Sequence, residues 1–192
     1  YRINRTLALA GFAPEFSIPV ELVYDSGDGT PGLFGAGWSC PQLESRVFPE
    51  ETGLLWRTPW GEEIRFFKKE KGAGCYAPYS DWTASGSGGN WTVSGKDGWA
   101  FAYKASRLRR ITAPSGRQLD FVYDGEKLLK VSMDGTAFIC LEYNVGALVS
   151  SILVNDEAFS FEYRCAQVVA LPERLGDKSC AVEKPFLVKV CS

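Results

Sequence analysis

The sequence contains no histidine among its 192 residues. This absence excludes Ser-His-Asp and Cys-His nucleophilic sites as they are usually built, and it removes the usual general base near neutral pH. Paired carboxylates occur at Glu50–Glu51 and Glu62–Glu63, but adjacent side chains on a strand point to opposite faces. We therefore predict a protein that is not an enzyme and that has no catalytic residues.

The sequence also lacks the usual signals for membranes, nucleic acids, metals and phosphates. No run of about 18 apolar residues is present, so we expect no membrane insertion. The net charge is −2 and no basic stripe occurs, so we expect no nucleic-acid partner. The calcium-like run Asp25–Gly29 has Ala36 where such a loop needs a glutamate. The Gly86–Gly89 run lacks the Lys-Ser/Thr pair of a phosphate loop. From these two failed matches we predict that the protein binds no metal and no cofactor.

The six cysteines are widely spaced, and no CxxC pair is present. Without such a pair, a zinc site is not expected. Two interpretations stay open, one in which the cysteines act as small buried hydrophobes and one in which some form disulfides. The first is favoured, and for the second the preferred pair is Cys180 with Cys191, because these two flank one short segment.

Aromatic residues and glycines are abundant, a composition typical of strands and tight turns. An aromatic or leucine followed two positions later by tyrosine recurs every 20 residues in the second half of the chain. The four tyrosines of this repeat are Tyr103, Tyr123, Tyr143 and Tyr163. Each unit predicts two short strands joined by a turn, and such units bury their apolar face only by stacking on one another. We predict an all-β fold, an antiparallel meander of consecutive hairpins forming a curled or spiralling sheet, without significant helix.

The pattern divides the chain into four parts. Residues 1–72 are an N-terminal β segment, and residues 73–98 are rich in Gly, Ser and Trp and predict an irregular loop or seam. Residues 99–172 hold the four hairpin repeats, and residues 173–192 form a C-terminal tail.

Two stretches carry a family resemblance. The run from Ile18 to Ser26 (IPVELVYDS), followed by Gly35-Ala-Gly-Trp-Ser39, resembles the opening signature of RHS/YD-repeat proteins. The run Ile111–Asp124 (ITAPSGRQLDFVYD) is similar to the YD repeat itself. The resemblance implies a bacterial secreted or cell-surface protein, related to toxin shells and to the teneurins of animals, whose repeats form a spiralling sheet that can close into a hollow shell. It implies a non-enzymatic wall segment whose partners are further repeats of the same polypeptide or another protein.

Several aromatic residues leave a second function open. The repeat tyrosines and Trp38 are interpreted as structural, the tyrosines as a ladder that fixes the strand register and Trp38 as a core plug. Aromatic residues in loops suit stacking on a sugar ring or on a partner protein. The candidates for such binding are Trp60, Tyr76, Tyr79, Trp82 and Trp91. The alternative function is therefore a surface β-module that binds a glycan or a protein. Pairing of two copies through open strand edges is a further expectation.

Overall fold

The computed structural model describes residues 2–13, 15–27, 31–69, 74–170 and 180–191. The prediction of an all-β protein is confirmed, since the helix in these ranges is the single turn α1 (Pro41–Glu44). The strands in chain order are β1 (Arg2–Ala13), β2 (Phe16–Asp25), β3 (Pro31–Gly32), β4 (Gly35–Ala36), β5 (Trp38–Ser39), β6 (Arg46–Glu50), β7 (Gly53–Arg57), β8 (Glu63–Lys68), β9 (Cys75–Tyr76), β10 (Trp82–Ser87), β11 (Asn90–Gly95), β12 (Ala100–Lys104), β13 (Arg107–Thr112), β14 (Gln118–Asp124), β15 (Lys127–Met133), β16 (Thr136–Tyr143), β17 (Val149–Val154), β18 (Glu157–Ala170) and β19 (Cys180–Cys191).

The strands form one large sheet and two small ones. The large sheet contains β6 to β19, each paired antiparallel with its neighbour in the chain, while β1, β2 and β5 form a three-stranded sheet and β3 pairs with β4. The large sheet is not open along its whole length, because β13 also returns to β6 through the pair Arg107 and Arg46. The Val47 N–H donates to Ser106 O at 3.1 Å beside this pair. Strands β6 to β13 therefore close an eight-stranded barrel, and β14 to β19 extend from it.

The prediction of an open curled sheet is thus wrong for residues 46–112. Sheet twist accumulates in one direction, so an eight-stranded meander can curl back onto its first strand. One edge of β13 serves two neighbours: its first residue, Arg107, pairs with β6, and Arg110 to Thr112 pair with β14. The chain can close the barrel and continue the sheet because these two pairings use different parts of β13.

The closing pair places two arginines opposite each other, an arrangement that is unfavourable without a counter-charge. Arg107 has such a partner, since its Nη2 lies 2.9 Å from Glu126 Oε1. The hydrogen bond from Arg107 lowers the pKa of the Glu126 carboxyl below its ordinary value. Glu126 belongs to the turn after β14, so the first extending hairpin supplies a charge to the closure.

The first three repeat units form the hairpins β12–β13, β14–β15 and β16–β17. The fourth unit supplies β18 alone, and its partner β19 lies in the predicted tail, outside residues 99–172. In each hairpin the register shifts by one residue immediately before the repeat tyrosine. Such a bulge increases local twist and bends the strand. The 20-residue sequence repeat therefore corresponds to a repeated bend of the sheet as well as to a repeated hairpin.

Residues 31–45, which we call the GAGW segment, connect the small sheets to the barrel and pack on the later repeats. Phe34 is fully buried, and its ring lies 5.2 Å from that of Phe161 in an edge-to-face arrangement. Leu33 O accepts a hydrogen bond from Val149 N at 2.9 Å. Gly35 has a φ of +92°, and a Cβ there would come within 2.8 Å of Pro185 O. The opening signature and the repeats therefore share one core.

Glu44 holds the GAGW segment in shape. Its carboxylate accepts N–H donors from Leu33 at 2.9 Å and from Cys40 at 2.5 Å, and so spans the segment. Burial nevertheless raises the pKa of Glu44 above its ordinary value, although these donors and the charges of Arg46 and Arg57 act in the opposite direction. The folded protein therefore binds the Glu44 proton more tightly than the unfolded chain does.

This raised pKa makes a prediction about stability and pH. The contribution of Glu44 to stability is fully present below its ordinary pKa of 4.5 in the unfolded chain, and it is lost as the pH rises through the higher folded pKa. Glu44→Gln is neutral at every pH, so its free energy of unfolding should fall less than that of the parent between about pH 4 and 7. Urea unfolding across that range measures the difference. Glu51→Gln, at an exposed position, is the control, and parallel curves for the parent and Glu44→Gln would contradict the assignment.

Two further expectations are corrected by the strands. Residues 73–98 are not an irregular loop, because β10 and β11, of six residues each, form a hairpin within them. The C-terminal tail contributes β19, whose two ends are Cys180 and Cys191. Eleven steps along an extended strand separate these cysteines by about 36 Å, whereas a disulfide needs Cα atoms within about 7 Å. The pairing of Cys180 with Cys191 within one chain is therefore wrong, and Cys40 and Cys75 are buried free thiols.

Candidate functional site: an aromatic cavity beside the barrel

A cavity of about 380 Å³ lies between β2 and the barrel. This volume falls within the range of small-molecule sites, roughly 300–1,000 Å³. Five aromatic residues line it, and these are Phe16, Trp60, Trp82, Trp99 and Phe101. Four polar residues also line it, and these are Glu15, Ser17, Gln42 and Asp97.

The turn between β7 and β8 positions Trp60 at the cavity. Thr58 N donates to Glu62 O at 2.8 Å, and Gly61 N donates to Thr58 O at 3.1 Å. Gly61 takes a φ of +87°, a conformation that glycine adopts without strain. The Trp60 indole N–H donates to Glu62 Oε2 at 2.9 Å, which fixes the orientation of a ring that is 45% exposed.

The aromatic wall is a packed cluster built on Trp56. Trp56 itself is fully buried, and its ring lies 5.3 Å from Trp60, 5.2 Å from Trp82 and 5.4 Å from Phe101. On another part of the cavity lining, Phe16 meets Trp99 edge-to-face at 5.4 Å. These distances are those of mutually supporting rings, so the cavity walls are preformed.

Gly95 allows one wall and one charge to approach each other. Trp82 pairs with Gly95 across β10 and β11. A Cβ at Gly95 would come within 2.9 Å of the Trp82 ring and would collide with Oδ1 of Asp97. The missing side chain therefore lets the Trp82 indole and the Asp97 carboxylate occupy adjacent space.

The polar groups of the cavity are acidic or neutral. Glu15 accepts the Ser115 hydroxyl at 2.7 Å and lies 3.9 Å from the Arg117 guanidinium. Asp97 accepts only the Trp99 N–H, at 3.3 Å, among the hydrogen bonds of the described residues. Among the residues that the structure describes, neither lysine nor arginine lines the cavity. The cavity therefore presents negative charge, and Asp97 is the carboxylate without a basic partner in the described ranges.

Gln42 contributes a polar group from a buried position. Its side chain is 8% exposed, and its Oε1 accepts both Glu21 N and the Cys40 thiol at 3.4 Å. Burial raises the pKa of Cys40, so this thiol stays protonated and can donate. None of the hydrogen bonds between described residues uses Nε2 of Gln42. This amide nitrogen is the donor that Gln42 can offer to a molecule in the cavity.

The five sequence-predicted binding residues are separated by the fold. Trp60 and Trp82 line the cavity. Tyr76 is 45% exposed beside Phe67 and Tyr79 is fully exposed, and neither lines the cavity. Trp91 is 8% exposed, and its indole N–H donates to Gly88 O at 2.6 Å. The expectation that Trp91 is a surface-binding residue is therefore wrong, because its side chain belongs to the barrel core.

The repeat tyrosines make contacts that favour the structural interpretation. Tyr103 receives the Trp56 indole N–H at 2.5 Å, and its hydroxyl lies 2.8 Å from Ser45 Oγ. Tyr143 donates to Leu128 O at 2.8 Å and Tyr163 donates to Val149 O at 2.6 Å, so each is bonded to the preceding repeat.

The remaining tyrosine and Trp38 are held by neighbouring side chains. The Arg109 guanidinium lies over the Tyr123 ring at 4.4 Å, and burial raises the pKa of Tyr123 to about 12. Trp38 is partly buried against Tyr24 at 5.1 Å. The fully buried aromatic of this region is Phe34, which directly precedes the Gly35–Ser39 run of the opening signature. Phe34 therefore takes the role of core plug that was expected of Trp38.

Sequence reasoning missed Phe16, Trp99 and Phe101 as cavity residues. Trp99 and Phe101 are two positions apart, and a period of two places them on the same face at the start of β12. That signal was available in the repeat. Phe16 reaches the cavity only because β2 packs beside the barrel, and no local sequence pattern indicates that packing.

No group of three or more His, Cys, Asp or Glu side chains among the described residues could hold a metal ion. Within the same ranges, no helix is long and apolar enough to cross a membrane. No protein-family model matches the chain, and no curated protein matches it either. The resemblance to RHS/YD-repeat proteins therefore stays a prediction.

Proposed function

We propose that the chain is a non-enzymatic wall segment of a larger, extracellular or surface protein built from RHS/YD-like repeats. The observation that carries the proposal is that the sheet continues in strict chain order past the closed barrel. Six strands, β14 to β19, are added hairpin by hairpin without a crossover. This is how a wall grows when each unit contacts only its neighbours.

The repeated bulge supports the same proposal. A register shift before Tyr103, Tyr123, Tyr143 and Tyr163 bends each hairpin at the same place. Equal bends at equal intervals give a sheet of steady curvature. Packing of the GAGW segment on β17 and β18 further ties the opening signature to the later repeats.

Strand β19 offers an edge on which further strands can form. In the described part of the chain, its only ladder partner is β18. Unpaired N–H and C=O groups along such an edge favour pairing with another strand. A following repeat is the natural occupant in a wall.

A fusion experiment tests the proposal. A second copy of residues 113–133, which carry the β14–β15 hairpin, is attached after the last residue of the chain. We expect amide hydrogen exchange in β19 to slow by about tenfold or more, because a new ladder protects its outer edge. The control fusion replaces Phe121 and Tyr123 of the added copy by serine. Equal exchange of β19 in both fusions would contradict the proposal.

A second candidate function is a binding module, and one observation favours it. The cavity that contains Trp60 and Trp82 is preformed and has an aromatic wall with a few polar groups. Such a composition is typical of small-molecule sites. The two candidates are compatible, since no described residue of β19 lines the cavity.

A further inference from the structure

We propose that the aromatic cavity binds a small organic ammonium ion that also carries a hydroxyl or carbonyl oxygen. This proposal rests on the second candidate function, the binding module, and names its ligand class. It is independent of whether the sheet continues into further repeats.

The charge of the cavity selects a cation. Asp97 and Glu15 line it, while no lysine or arginine in the described part of the chain does. Arg117 lies 3.9 Å from Glu15 and offsets part of that charge, and Lys96 is paired with Asp81 at 2.5 Å. Asp97 keeps its charge available to a ligand. An anionic ligand would face a carboxylate without any compensating base.

The walls suit an alkylated ammonium group. The rings of Trp60, Trp82 and Phe101 lie within 6.0 Å of one another and form one continuous aromatic surface. An ammonium ion gains both apolar contact and attraction to the ring electrons on such a surface. Trp60 is 45% exposed, so the surface is reachable from solvent.

Gln42 supplies the second recognition element. Its Oε1 is already used twice by Glu21 N and the Cys40 thiol, so the amide is fixed with Nε2 as its remaining donor. Nε2 has no protein acceptor in the described part of the chain, and a ligand oxygen within reach would supply one. The ligand therefore carries an oxygen in addition to its positive charge.

A saccharide fits less well. Of the described residues that line the cavity, only four are polar, so most hydroxyls of a bound sugar ring would lose water without gaining a partner. A sugar would also leave the Asp97 charge uncompensated. The cavity accordingly favours a compact cation over a neutral polyol.

Choline, neohexyl alcohol and methyl glucoside are suitable probes for calorimetric titration of the full chain. Neohexyl alcohol has the shape of choline with carbon in place of the ammonium nitrogen. We expect choline to bind at least about tenfold more tightly than neohexyl alcohol, and its affinity to fall as salt is added. Asp97→Asn should weaken the binding of choline by about three- to tenfold and leave the affinity for neohexyl alcohol unchanged.

Trp60→Leu should weaken the binding of both choline and neohexyl alcohol, because it removes aromatic surface from the rim of the cavity. Tyr79→Leu, a change of another exposed aromatic that does not line the cavity, is the matched control and should bind like the parent. Equal binding of choline and neohexyl alcohol, or a preference for methyl glucoside, would overturn the ammonium class and leave the binding module standing. Absence of binding by all three probes would overturn the ammonium proposal and the binding module together.

Discussion

Replacing Trp56 by alanine is expected to lower the free energy of unfolding by about 3–5 kcal/mol. Trp56 is fully buried and contacts the rings of Trp60, Trp82 and Phe101. Its indole N–H also donates to the Tyr103 hydroxyl at 2.5 Å. The substitution therefore opens a large cavity and deprives a buried hydroxyl of a partner. Urea unfolding followed by circular dichroism measures the loss.

Two matched variants separate the causes. Trp56→Phe keeps most of the ring packing and removes the hydrogen bond, so we expect a smaller loss, of about 1–3 kcal/mol. Trp60→Ala changes the same residue type at a position that is 45% exposed, and we expect about 1 kcal/mol. If Trp56→Ala and Trp60→Ala lower the free energy of unfolding by the same amount, Trp56 is not the centre of the aromatic cluster.

The repeat hairpins could be predicted from the sequence because their signals are local. Phe121 and Tyr123 alternate on one face, and the turn at Asp124–Gly125 follows directly, so period and turn residues agree. The barrel closure could not be predicted in this way. Its pair joins Arg46 to Arg107, which are distant in sequence and of like charge, and no local pattern marks them as partners.

In the candidate site too, some residues could be predicted from local sequence signals and others could not. Trp60 could be predicted as accessible from the turn residues around it, and it lines the cavity. Trp82 also lines the cavity, but it lies at the start of β10 and not in the loop from which its exposure was predicted. Trp91 misled the prediction, because the Gly/Ser-rich stretch was interpreted as a loop. Its alternation with Val93, both buried around the exposed Thr92, is the period of a strand with one face in the core. Gln42 and Asp97 gave no sequence signal, since their position depends on how β2 packs beside the barrel.

Phe34→Ala is expected to have the second large effect, a loss of about 3–5 kcal/mol in the free energy of unfolding. Phe34 is fully buried and packs edge-to-face on Phe161. The preceding residue, Leu33, accepts a hydrogen bond from Val149, so truncation at Phe34 weakens the GAGW segment where it meets β17 and β18. Hydrogen exchange should therefore accelerate in β17 and β18 more than in β7 and β8. Trp56→Ala should give the opposite pattern.

A double-mutant cycle tests whether Phe34 acts through the repeats. Residues in direct contact have interaction energies of about 0.5–3 kcal/mol, so the losses from Phe34→Ala and Phe161→Ala should not add. Phe48→Ala, at a position that is 37% exposed on β6, is the control. Its loss of stability should add to that of Phe34→Ala or of Phe161→Ala within about 0.5 kcal/mol. Additivity of Phe34→Ala with Phe161→Ala would mean that the opening signature and the repeats are stabilised separately. Coupling would mean that the GAGW segment and the later repeats are stabilised together as one core, as the contact between Phe34 and Phe161 indicates.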